Sequence, residues 1–470
     1  MARVLLVDVG VSDSVPSRPF PNVGLAYLVS SLNQAGHEVH LLDLHNSPLS
    51  NDEIGNNVRT FSPHIIGISV KTATLVTARR IGKLLKKLLP SVPIVVGGPH
   101  AMVSSSDLAG EPWVNSVVAG EGEEVFPQLC ATVCQGESLP SIITPSLIKS
   151  LDSLPLPDFS LFPPNVLETL KYRYPLVTSR GCVYDCIYCS VPRVSGRRFR
   201  PRRPEAVLAE LEGAANSYDV AGFEIIDDAF NLDVRRAKDF CHLLARSPRQ
   251  FFWSCPNGIR ADLLDAELSM LMASTDCRQV MVGVESSVPE VLAGLRKGET
   301  IEDIERGIQY LQQAGIDVGG YFLIGAPGDT LELQLRNVFF IQRHRISAHF
   351  NILVPYPGTD LWAWVSEHGN RLAAPEQALH FSDSVDDLLI PFETHGFSAS
   401  DRIHAYELVH TKIRRFNLLI PASVPFLRRC RLVIGLLWKH DRAGILSHVA
   451  SSACSLALKM LSTRRSRDSR

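Results

Sequence analysis

The stretch Ser179-Arg-Gly-Cys-Val-Tyr-Asp-Cys-Ile-Tyr-Cys-Ser190 holds three cysteines, Cys182, Cys186 and Cys189, in the spacing C-x3-C-x2-C. It follows a short apolar run, Tyr174 to Val177. Three thiolates can hold three corners of an iron–sulfur cube, whereas a saturated cluster takes four cysteines. The fourth iron is then open to a small molecule, and an open position marks a catalytic metal site. Zinc, the alternative, usually takes a fourth Cys or His, commonly from a second pair. No second C-x2-C occurs; Cys130 and Cys134 fall on one helical pattern, and the remaining cysteines are isolated.

Downstream of the triplet, apolar runs alternate with helical patterns. The strands expected are Tyr174–Thr178, Gly222–Ile226, Phe251–Ser254, Gln279–Val284, Asp317–Ile324 and His349–Val354. With helices between them, six such strands predict a partial β/α barrel. Barrels place their chemistry in the loops after the strands, and the triplet follows the first strand. Upstream, Val4–Val7, Val39–Leu42, Ile65–Val70, Ile94–Val96 and Ser116–Val118 read as buried parallel strands between helices. That alternation predicts a doubly wound, flavodoxin-like sheet that binds ligands beyond its carboxyl edge. Gly97-Gly98-Pro99-His100 and Gly120-Glu121-Gly122-Glu123 punctuate that edge. Glycine there permits close backbone approach to a ligand, or simply a tight turn.

The expected fold class is therefore α/β: a first domain over 1–142, a Pro-rich linker over 143–171, a partial barrel over 172–375, and a helical, basic region over 376–470. Of the 470 residues, 45% are hydrophobic and 20% charged, as in globular proteins, and the net charge of −2 gives no general pull toward nucleic acid. The N-terminus enters a strand directly, and no apolar run reaches the length of about eighteen residues expected of a membrane span. These features, with an oxygen-sensitive cluster, predict a cytoplasmic protein. From Asp401 onward, 14 Lys/Arg face 4 Asp/Glu, so the end of the chain is strongly basic. Phe416–Ile420, Leu432–Trp438 and the tail Arg464-Arg-Ser-Arg467 suit either a helical cap or peripheral contact with the inner face of an anionic membrane. The run Arg197-Arg-Phe-Arg-Pro-Arg-Arg203 reads as a loop near the triplet rather than a nucleic-acid patch.

With Tyr188 just before its last cysteine, the triplet resembles the cluster loop of the radical S-adenosylmethionine (SAM) enzymes. Phe223-Glu-Ile-Ile-Asp-Asp-Ala-Phe230, Val282-Gly-Val-Glu-Ser286, Phe322-Leu-Ile-Gly-Ala-Pro-Gly-Asp-Thr330 and Pro355-Tyr-Pro-Gly-Thr359 resemble further segments of that family, in order. Pro21–Leu28, Ile66–Val70, Val95–His100 and Val118–Glu124 resemble the cobalamin-binding domain preceding the barrel in one subgroup. Many such domains carry D-x-H-x-x-G after the first strand; here the loop reads Asp8-Val-Gly-Val-Ser-Asp13, so the cobalamin expected lacks a histidine axial ligand.

The resemblance implies a [4Fe–4S] cluster on Cys182, Cys186 and Cys189. On the SAM side it implies Tyr188, Asp227, Asp228, Arg260, Glu285, Gly325, Pro327 and Gly328. On the cobalamin side it implies Ser69, Gly97, Gly98, Gly120, Glu121 and Gly122. Tyr188 would lie against adenine, Arg260 would clamp a carboxylate with its planar fork, and the glycines would admit the ligand backbone-close. A packing, ion-pair or turn role is the alternative for each. The activity implied is methylation of an unactivated carbon through methylcobalamin. Alternatives are cyclisation, ring contraction or oxidation, and, from another class, a zinc-stabilised binding protein. The partners expected are a small-molecule substrate, lipid-like or a secondary-metabolite intermediate, and an electron-donor protein, with no nucleic acid.

Overall fold

Two parallel six-stranded sheets follow each other in the chain. The first takes β1 Arg3–Asp8, β2 Glu38–Asp43, β3 Ile65–Ser69, β4 Ile94–Gly97, β5 Ser116–Val118 and β6 Ile142–Ile143 in the order β2-β1-β3-β4-β5-β6. Leu5, Val7, Ile66, Ile68, Ile94, Val96 and Val117 on these strands join one buried core with Leu75, Ile81 and Trp113. Strands covered on both faces read as continuous apolar runs, which is why β1 to β5 were visible in sequence. The helix Val23–Gln34 follows β1 and is capped by Asn22, whose side chain accepts from Leu25 N. Asn22 Nδ2 also donates to Asp8 Oδ1 at 3.0 Å and to Ser69 Oγ at 3.2 Å. One side chain thus ties the ends of β1 and β3.

The second sheet takes β7 Tyr174–Leu176, then, after the short antiparallel pair β8 Ser179–Arg180 and β9 Arg200–Pro201, β10 Gly222–Ile225, β11 Phe252–Ile259, β12 Cys277–Glu285, β13 Asp317–Ile324 and β14 Ser347–Ile352. Its order is β14-β13-β12-β11-β10-β7, a barrel left open between β14 and β7. Phe223, Phe230, Phe240, Phe251 and Trp253 pack ring against ring on β10, β11 and the neighbouring helices. β11 and β12 both carry register shifts near their carboxyl ends. Such bulges bend a strand and re-aim its side chains. The Pro-rich segment read as a linker is packed: Phe159 and Phe162 are buried, and Pro164–Arg173 is a helix that opens on proline.

The computed structural model describes residues 1–11, 16, 18–378 and 388–417, the last six by backbone only. Both sheets belong to one unit, Met1–His410. The apolar stretches from 418 onward and the basic tail lie outside the described residues. Among the described residues no helix is long and apolar enough to cross a membrane.

Candidate functional site

A cavity of about 400 Å³ lies over the carboxyl edge of the first sheet, and the second sheet supplies its far wall. Ser69, Gly97, Gly98, Gly120, Glu121 and Gly122 line it from one side; Ser179, Arg180, Ile226 and Asp228 line it from the other. All six residues expected on the cobalamin side are therefore brought together. A Cβ on Gly97 would meet only Val118 O, at 4.0 Å, so the floor there is open to an occupant. His100 does not line the cavity; it is buried, with Nδ1 3.0 Å from Thr72 Oγ1.

The cysteine loop leaves the barrel beside this cavity. Gly181 adopts φ +89°, and a Cβ there would sit 2.2 Å from Arg198 O, so only glycine fits this neck. Gly181 N donates to Asp228 Oδ2 at 2.7 Å. Ile187 is buried among Val291, Leu295, Leu353 and Leu361, and its backbone bonds Leu295 and Leu361. Cys182, Cys186 and Cys189, in the same loop, are half-buried. Among the described residues no three His, Cys, Asp or Glu side chains close on a single metal ion. Burial raises all three thiols, Cys189 to about 12. The nearby charges of Lys297 and Arg260 oppose that rise at Cys182 and Cys186. Iron binding deprotonates thiols outright, so three neighbouring thiols under two cations are a donor set that fits a cluster.

Charged side chains surround the loop on its barrel side. Glu285 ends β12 at φ +62°, a conformation rare for a residue with a side chain. It accepts from Tyr188 Oη at 3.0 Å and lies 3.5 Å from Lys297 Nζ. Lys297 also pairs with Glu299 at 3.0 Å and donates to Gly283 O. Arg260 stacks over the Tyr184 ring with its guanidinium 3.3 Å from the centroid. Its fork holds Asp262 at 2.9 Å through two nitrogens.

Residues 14–130 match the B12 binding domain, and residues 176–335 match the radical SAM superfamily. The chain belongs to the radical SAM enzymes that carry a cobalamin-binding domain. A relative described as an uncharacterized methyltransferase of Pyrococcus horikoshii is 29% identical over 361 residues, which cover 73% of this chain and 78% of the relative. An anaerobic magnesium-protoporphyrin IX monomethyl ester cyclase of Rubrivivax gelatinosus is 26% identical over 373 residues, covering 73% of this chain and 66% of the relative. The solved structure of the methyltransferase TsrM from Kitasatospora setae, with cobalamin and a [4Fe–4S] cluster bound, shares the fold at a TM-score of 0.65 and 21% identity, covering 81% of this chain and 83% of that one.

In this radical SAM enzyme the residues expected on the SAM side occupy distinct settings. Asp228 faces the cavity, whereas Asp227 is fully enclosed. Asp227 accepts from Thr178 N at 2.6 Å, Thr178 Oγ1 at 2.5 Å and Ser179 Oγ at 2.6 Å, stitching the end of β7 to β10. Gly325 adopts φ +98°, and the group pressed against it is the Arg402 guanidinium: a Cβ would lie 1.9 Å from Nη1. Gly328 has open space around it, and Pro327 lies between the two. Sequence reasoning missed Tyr184, Asp262, Lys297, Glu299 and Arg402. Tyr184 lies inside the cysteine motif but was not singled out there, and Asp262 is a local partner two residues after Arg260. Lys297, Glu299 and Arg402 fall outside a recognisable motif and are placed by distant segments.

The arginine run is mostly internally paired. Arg200 holds Glu121, Arg202 holds Glu210, Arg197 holds Asp185 and Arg203 holds Asp152.

Proposed function

We propose that this enzyme methylates an unactivated carbon of a small organic molecule, with its cluster on Cys182, Cys186 and Cys189. When bound, the cluster and SAM supply a 5′-deoxyadenosyl radical, and cobalamin supplies the methyl group. The observation that carries the reading is the shared cavity: one wall is the sheet edge of the B12 binding domain, the other Ser179 and Arg180 at the base of the cysteine loop together with Asp228. Such a chamber keeps both cofactors in reach of one substrate carbon, and its largely apolar lining keeps water from a radical.

The chain's own residues orient and shield. Asp228 fixes the loop neck through Gly181 N. Tyr188, Glu285 and Lys297 form a hydrogen-bonded rim beside the cysteines, suited to holding the amino and carboxylate groups of SAM. Gly328 leaves backbone open for the adenosyl group. Arg260, with its fork on Asp262, acts on this reading as a fixed positive charge rather than a clamp. The methyltransferase described in Pyrococcus horikoshii supports methylation. The cyclase relative favours a second reading, radical cyclisation or oxidation without methyl transfer. For the substrate, the basic C-terminal region favours a lipid-like molecule over a secondary-metabolite intermediate, and an electron-donor protein reduces the cluster.

Mass spectrometry of SAM products after anaerobic reconstitution with cobalamin, reductant and candidate substrates separates the two. Methylation leaves S-adenosylhomocysteine together with 5′-deoxyadenosine. A substrate-dependent reaction that leaves only 5′-deoxyadenosine overturns methylation in favour of the second reading.

A further inference from the structure

The cluster loop is a closed lobe. Its stems, β8 and β9, pair antiparallel with Arg180 opposite Arg200, and residues 181–199 run out and back between them. Both stem arginines reach across to the same carboxylate of the first domain. Glu121 Oε1 accepts from Arg180 Nη1 and from Arg200 Nη2, each at 2.9 Å. Glu121 Oε2 accepts from Arg200 Nη1 at 2.8 Å and from Ile148 N at 2.7 Å. Four donors thus occupy the two oxygens. Arg180 is held further by Glu123 at 2.7 Å, and Arg200 Nη2 donates on to Ser195 O within the loop at 3.0 Å. Glu121, Glu123 and Arg200 are buried.

Bidentate pairs between guanidinium and carboxylate fix orientation as well as distance. Breaking one partner of a buried pair leaves an uncompensated charge and costs more than a surface pair contributes. Burial alone would raise the Glu121 carboxyl; Arg200, Arg180 and the Ile148 N–H outweigh it and hold the group below its ordinary value, so it stays charged throughout the neutral range. The same Gly120–Glu123 turn lines the cavity over the first sheet.

We propose that Glu121 is a positioning residue for the iron–sulfur loop: a carboxylate of the cobalamin-binding domain that clamps both stems of the lobe carrying Cys182, Cys186 and Cys189. The geometry of the cluster loop then depends on the turn that also borders the cobalamin cavity, and Glu121 is the side chain of that turn that meets both stems at once. The inference rests on the assignment of the cluster to these cysteines.

The test uses the full chain, both cluster-free and anaerobically reconstituted, as wild type, Glu121→Ala, Glu121→Gln and Arg200→Lys. Amide hydrogen exchange over 182–199 should run roughly tenfold faster in Glu121→Ala, with β3 and β4 unchanged, and Glu121→Gln should fall between. In the reconstituted protein, the change that SAM produces in the electron paramagnetic resonance spectrum of the reduced cluster should broaden or vanish. Should Glu121→Ala fail to fold, Arg200→Lys keeps the charge but loses the fork, and should loosen the same segment. Loop exchange and a SAM-dependent spectrum equal to wild type in these variants would overturn the clamp. A wild-type chain that takes up no iron and sulfide would instead overturn the cluster assignment, while exchange in the cluster-free chain still reports on the clamp.

Discussion

Glu285 concentrates the local strain of the site in one residue. A non-glycine residue at φ +62° costs on the order of 1 kcal/mol or more and persists only where its surroundings over-determine it. Here Tyr188 and Lys297 hold its carboxylate. Tyr188→Phe keeps the ring and removes the donor, so stability should fall by about 1–3 kcal/mol, read by denaturant unfolding. An unchanged midpoint would show that the bond contributes nothing. A second carboxylate makes a pH prediction. Asp43 lies beside Asp8 in the sheet register, and burial first, then Asp8, push its carboxyl up to about 6. A folded value above the ordinary 3.8 means the fold holds the proton more tightly than the open chain does. The stabilisation is complete below 3.8 and is lost as pH rises through about 6, roughly 3 kcal/mol in all. Asp43→Asn should flatten that slope in unfolding measured from pH 4 to 7 (roughly the window of the shift); an unaltered slope would contradict the assignment. The three cysteines stood out in sequence because their spacing, with Tyr188 and the strand before them, points to a cluster loop. The settings of Lys297 and Arg402 did not, because the partner of such a charged residue is chosen by tertiary placement.

At the level of elements, buried strands were legible as apolar runs, and both sheets appear with the expected parallel pattern. The bounds of β11 were not, because Pro256-Asn257-Gly258 interrupts the apolar pattern where the strand bulges. The two-residue β6 offered too little pattern to read. The helix Ala399–Asn417 shows how an element outside the barrel still reaches the site: Arg402 lies over the rings of Phe392 and Phe397 and donates to Gly325 O at 3.3 Å. Gly325→Ala should therefore be destabilising by about 1–3 kcal/mol, through positive φ and the collision with Arg402. Thermal unfolding checks it, and a variant as stable as wild type would show that the guanidinium moves aside freely. Ile187 is the corresponding anchor of the cluster loop. Ile187→Ala should cost about 2–4 kcal/mol and lower the iron retained after desalting, whereas full iron retention would separate the anchor from cluster binding.

On the scale of the whole molecule, two α/β units share one cavity at their strand ends, joined by ion pairs between Glu121, Glu123, Arg180 and Arg200. Sequence made each unit visible separately, since each has its own core and motifs. It did not make the junction visible, because Glu121 looked like part of a ligand turn and Arg200 like part of a basic run. The most direct test of the account is the yield of 5′-deoxyadenosine from SAM under anaerobic reduction, compared between wild type and Cys186→Ala with the cobalamin content of both measured. The account predicts 5′-deoxyadenosine from wild type and none from Cys186→Ala, with cobalamin still bound in the variant. Continued formation of 5′-deoxyadenosine by Cys186→Ala would contradict it.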